Sequence, residues 1–176
     1  MALDAFLIAR PLSGGLALTS ETLDPLFKSW PQTMELQSFH LSASNPTSIQ
    51  GPGKISFDLL TITKAAGVNS PRLLTYCATG AHFDRVTLYV TNASSAGELV
   101  TEIYTFGTVF VMSVASDGAN GDNSGTDTIT MNFGQFEHRY YAYNTLNQRQ
   151  PAVVGSWSVI TNTPWNPTPL DGPLSS

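Results

Sequence analysis

The feature that most constrains this chain is a succession of short apolar runs cut apart by Gly, Asn, Ser and Pro, with one stretch that reads as helix. Runs of that length, interrupted that often, build a mainly β domain of many short strands. The 20 Thr and 18 Ser residues go with this reading. No repeat recurs at a fixed period, which excludes a solenoid or propeller. A chain of 176 residues fits one domain and can bury a core without a disulfide or metal staple. Cys77 has no second cysteine to pair with.

Strands are expected at Leu3 to Ala9, Met34 to Ser42, Lys54 to Lys64, His82 to Asn92, Leu99 to Ala115, Asp127 to His138 and Val153 to Asn162. Two of these are irregular. Met34 and Leu36 share one parity while Phe39 and Leu41 share the other, which means a bulge near Leu36 and Gln37 or burial on both faces. Lys54 to Lys64 repeats the two-sided pattern and calls for cover from the helix that follows. That helix runs from about Ser70 to Thr79. Ser70 is the expected cap, Pro71 suits the first helical position, and Gly80 closes the end in the left-handed conformation. Leu73, Leu74 and Cys77 make its apolar stripe. Residues 11–33 are a long loop with a helical turn around Asp24 to Lys28. Residues 43–53 and 116–126 are further loops, the latter mobile. One β domain thus covers 1–162, and 163–176 is a tail with four prolines that cannot form a central strand.

Charge excludes several functions. The net charge is −5, and the eight Lys and Arg residues are scattered, so no basic stripe exists for nucleic acid. No apolar run reaches the ~20 residues that a membrane-spanning helix needs. Charged residues are only 12% of the chain, against about 25% in a typical soluble protein. Either a Ser- and Thr-rich solvated surface or a face covered by other subunits accounts for that shortage. The start lacks a basic region and carries Asp4, so synthesis in the cytoplasm without a cleaved signal is expected.

Chemistry is hard to find. His40, His82 and His138 lie on separate segments without metal-binding spacing, and no metal or cofactor is implied. There is no GxSxG elbow, no phosphate loop, and Cys77 reads as a buried small hydrophobe. No catalytic residue is assigned.

One stretch carries a resemblance. Residues 53–64, followed by Ser70, Pro71, Leu73, Leu74, Cys77, Ala78, Thr79, Gly80 and His82, resemble the haemolysin co-regulated protein (Hcp) family of bacterial type VI secretion. Looser matches are Asp4, Phe6 and Leu7, then Met34 to Phe39, Ile129, Asn132, Phe133, Phe136 and Glu137, and Gly155 with Trp157. The similarity spans residues 3–162. Ile8 stands where the family commonly has Lys, and the tail is an extension.

The resemblance implies a β-barrel of two antiparallel sheets with one flanking helix at about 70–79. It implies self-association into six-membered rings that stack into a hollow tube, with a spike protein, a contractile sheath and small effectors as partners, and secretion through that apparatus. It also places ring-on-ring contact in the loop of Ser42, Ala43, Ser44, Asn45, Pro46, Thr47, Ser48, Ile49, Gln50, Gly51, Pro52 and Gly53. Ser38 and His40, opposite in parity to Phe39 and Leu41, are the candidates for the lumen. Phage tail tube proteins share the architecture. The competing reading is a monomeric carbohydrate-binding sandwich that uses Trp30, Trp157, Trp165, Tyr140, Tyr141 and Tyr143.

Overall fold

The computed structural model describes residues 3–45, 55–94, 97–121, 124–167 and 172–173. Among them are ten strands and one α-helix: β1 (Leu3–Pro11), β2 (Thr33–Leu36), β3 (Ser38–His40), β4 (Ala43–Ser44), β5 (Ser56–Phe57), β6 (Leu60–Ala65), α1 (Ser70–Thr79), β7 (His82–Ser94), β8 (Gly97–Asp117), β9 (Thr126–Tyr140) and β10 (Val153–Ser158). The large sheet runs β2-β1-β7-β8-β9-β6-β3, with β10 also on β9, and every pairing is antiparallel. Its two ends, β2 and β3, are successive pieces of one chain stretch joined at Gln37, whose N–H donates to the Thr63 carbonyl (2.8 Å). The sheet therefore curls back on itself as a barrel. β4 and β5 form a separate two-stranded sheet. This is the expected mainly β architecture of two antiparallel sheets and one helix, with the sheets very unequal.

The barrel interior holds Leu7, Met34, Leu60, Ile62, Leu88, Phe106, Ile129 and Met131, which alternate with outward residues along their strands. A second apolar layer lies outside β1, β7 and β8. There Phe6 stacks on Phe27 (ring centroids 4.2 Å apart), and Phe27 meets Tyr89 edge-on. Phe27 arrives on the expected helical turn, where the Asp24 carboxylate accepts from the N–H groups of Leu26 and Phe27. β1 is thus buried on both faces, which explains its near-continuous apolar run.

Three expectations change. The stretch 34–42 is two strands, and the parity switch at Gln37 is the point where the chain trades β1 for β6 as its partner. The stretch 54–64 is likewise divided. β5 pairs with β4, Leu59 is exposed, and β6 presents only Leu60, Ile62 and Lys64 inward. Its other face carries Thr61 and Thr63, so it needs no helical cover, and α1 packs against β8 instead. Within α1 the inward residues are Leu73 and Tyr76. Leu74 is 56% exposed, and Cys77 is half-buried, its Sγ against the Met112 carbonyl. Tyr76 wins the inward position because its ring stacks on Phe83 and its hydroxyl donates to the Leu16 carbonyl (2.7 Å).

The helix start also differs. Asn69 is the cap residue, but its side-chain amide is engaged with the Thr19 backbone, accepting from its N–H and donating to its carbonyl. Ser70 turns inward and donates to Asp127. Gly80 closes the helix at φ 67° as expected, its N–H on the Tyr76 carbonyl.

One buried network ties these parts together. Lys64, 2% exposed, sits 3.3 Å from Glu21 and 3.7 Å from Asp127, and its ammonium donates to the Ala65 carbonyl. Asp127 also accepts from Ser70 and Ser116. The loop 11–33, β6, α1, β8 and β9 are thereby pinned at one point. Past β10 the chain crosses back over the sheet: Trp165 lies so close to Gly107 that any Cβ there would come within 2.9 Å of its ring.

Candidate functional surface

The inward alternation of β6 and β9 dictates what they show outside. In register across four strands, Ser38, Thr63, Thr128 and Ala115 form one row. His40, Thr61, Thr130 and Ser113 form the next. Ser38 and Ser113 are hydrogen-bonded to Thr63 and Thr130, each at 2.6 Å. At ~4.8 Å per strand the rows are about 15 Å wide. Ser38, His40 and Ser113 are exposed and the four threonines half-exposed. Lys64 and Asp127, the ionic residues within β6 and this half of β9, point the other way into the barrel. The acids that flank the rows are Asp117 at one end and Asp58, held by the Ser42 hydroxyl, at the other. The result is a flat, uncharged face of hydroxyls and threonine methyls.

Ser38 and His40 thus lie on a non-core face, as their parity against Phe39 predicts. Thr61, Thr63, Ser113, Thr128 and Thr130 were not singled out, although the alternation from Thr128 to Phe133 already carried the signal. Of the loop candidates, Ser42 bonds Asp58, Ala43 and Ser44 form β4, and Asn45 is exposed. Pro46 to Gly53 lie outside the described residues.

The titratable side chains assemble elsewhere. The Glu102 carboxylate accepts from the Tyr104 hydroxyl (2.7 Å) and bonds His138 Nε2 (2.9 Å), and the Tyr104 and His138 rings stack at 4.1 Å. Burial, then Glu102, raises the Tyr104 phenol above its ordinary range. No serine or cysteine nucleophile bonds to this group. His82 packs on Phe110, while its neighbour Asp84 pairs with Arg10 rather than orienting the imidazole. Among the described residues no three His, Cys, Asp or Glu side chains converge as a metal site, and no helix is long and apolar enough to cross a membrane. The aromatic residues of the carbohydrate reading do not share a platform: Trp30, Tyr141 and Tyr143 pack on the outer core, and Trp165 on Gly107.

A curled β-barrel with one small helix and a smooth, uncharged face is a protein built for surface contact. Comparison with solved structures places the fold among type VI secretion proteins. "Structure of a type six secretion system protein" superposes with a TM-score of 0.79 at 20% identity, covering 92% of this chain and 99% of that one. Hcp1 from Salmonella typhimurium gives 0.70 at 20% identity over 94% of this chain and all of its own. Protein hcp1 of Pseudomonas aeruginosa is 28% identical over 110 residues, 62% of this chain and 68% of that protein. The chain belongs to the family described as type VI secretion system effector, Hcp, which it matches over residues 28–140.

Proposed function

We propose that this chain is a non-enzymatic subunit of the type VI inner tube. Six copies close into a ring, rings stack into a hollow tube, and the uncharged hydroxyl face around Ser38, His40 and Thr130 lines the lumen, where small effectors travel. The loop 42–53 makes the ring-on-ring contact, and the spike and sheath are the further partners. The protein is made in the bacterial cytoplasm and leaves through the apparatus without a cleaved signal. The domain 1–162 forms the ring, with 163–176 as an appended tail.

The observation that carries this reading is the hydroxyl face. A lumen that lets folded cargo pass is best served by a surface without charge to hold it, and this chain keeps its ionic residues off that face. A second observation supports closure by identical copies. β10 pairs only with β9 among strands of the described residues, and it exposes Val153 (73%) and Val154 (52%) at the sheet's edge. Unpaired edges recruit further strands, and a heterologous cyclic contact satisfies them without open-ended growth. Light scattering on the purified chain tests the assembly: a species of about six times 18.9 kDa is expected, and a single 18.9 kDa species at all concentrations contradicts it.

A further inference from the structure

A cavity of about 570 Å³ opens between the end of the long first loop, the seam of β2 and β3, and the turn from β6 to α1. Its wall includes Ser20, Glu21, Glu35, Gln37, Lys64 and Val68. The Lys64 ammonium is spent internally on Glu21, Asp127 and the Ala65 carbonyl. With Glu35 added, three carboxylates surround that one cation, so the site keeps an excess of negative charge. Glu35 is on the exposed side of β2, and its Oε2 accepts from Thr22. The wall also contains the Ser20 hydroxyl, whose oxygen is buried without a hydrogen-bond partner among the described residues. Buried hydroxyls in folded proteins nearly always find a partner, so an orphan in a cavity wall points to a missing one.

We propose that this cavity is a binding site for a cationic head group, a primary ammonium or a guanidinium, with Glu35 as its counter-charge and the carbonyl-rich turn at 65–67 completing the hydrogen bonds. Such a head carries only donors, which matches a wall dominated by acceptors. The head has two possible sources. Other basic residues of this chain are engaged at home: Arg10 with Asp84, Arg72 with Ala17 and Thr19, Arg139 with Glu137, and Arg149 over Tyr141. Lys28 is exposed, and on a second copy, in the ring proposed above, it would supply the head. The alternative source is a head presented from outside the chain.

Calorimetry with the full chain tests the site, using agmatine as probe and the uncharged N-pentylurea as control. Saturable agmatine binding is expected, with none for the urea and a loss of about tenfold in Glu35→Gln, the usual scale for a charge-assisted hydrogen bond. Absence of agmatine binding, equal binding of the urea, or binding indifferent to Glu35→Gln overturns the proposal, provided thermal melts show Glu35→Gln folded. Should Glu35→Gln fail to fold, Ser20→Ala takes its place, and unchanged affinity there overturns the proposal. Ring mass then separates the sources. Disassembly by Lys28→Glu that Glu35→Lys restores assigns the head to the neighbouring copy. Intact Lys28→Glu rings that still bind agmatine assign it to a partner from outside. A wild-type chain that never forms rings defeats the tube reading alone, because agmatine binding is measured on the chain in any state.

Discussion

Replacing Lys64 by Met probes the point where five segments of the fold meet. The side chain is 2% exposed, and Asp127, 3.7 Å away, is fully buried. Removing the ammonium leaves the Asp127 carboxylate inside the barrel with only the Ser70 and Ser116 hydroxyls. A unit-charge pair about 4 Å apart interacts by about 4 kcal/mol at an effective dielectric constant of ~20. Breaking a buried pair from one side costs about 3–5 kcal/mol, so Lys64→Met is expected to lose that much at pH 7.

The pH dependence follows from Asp127. Burial pushes its carboxyl up, but the hydrogen bonds from Ser116 and Ser70 and the Lys64 charge outweigh burial and hold it below the ordinary carboxylate range. A carboxyl lower in the folded than in the unfolded state stabilises the fold above its unfolded pKa, and that contribution is lost as pH falls through the folded one. Without Lys64, burial dominates, Asp127 takes up a proton more readily, and the deficit shrinks on acidification. Urea unfolding followed by tryptophan fluorescence, at one fixed protein concentration and at pH 7 and 4.5, measures both effects. A companion Lys64→Met, Asp127→Asn chain recovers part of the loss. A deficit below about 1 kcal/mol at pH 7, or one that grows at low pH, refutes the reasoning.

Other outcomes follow from the same structure. Leu73→Ala costs about 2–5 kcal/mol and Leu74→Ala under about 0.5 in the same assay, because only Leu73 is buried; equal costs would contradict the assigned helix face. Spectrophotometric titration shows one tyrosine ionising above the free range, and Glu102→Gln brings it downward, since burial and then Glu102 raise Tyr104. Deleting residues 46–53 leaves ring mass unchanged and reduces tube length by electron microscopy; undiminished tubes remove the loop from ring stacking.

How much of this was legible depends on whether a signal is local. Pro71 and Gly80 mark the ends of α1 because both act through their own backbone. The face α1 buries is not local: Tyr76 outranks Leu74 inward because Phe83 and the Leu16 carbonyl wait there. The parity switch at Gln37 was visible, yet only strand pairing reveals that it changes partner from β1 to β6. In the same way Thr61, Thr63, Thr128 and Thr130 each read as an ordinary outward residue. They become a face once β6 and β9 are set in register. Lys64 and Asp127 read as solvated ends of their strands. The register that places them side by side across β6 and β9 turns them into a buried pair.

The central claim, that identical copies close into a ring with the hydroxyl face inside, is tested most directly by locating one residue of that face in the assembled particle. Thr130→Cys in a Cys77→Ser chain, labelled with a maleimide gold cluster, can be viewed end-on by electron microscopy. The account predicts label density within the central hole of a six-fold ring. Density on the outer rim or between subunits, or particles without a hole, contradicts it.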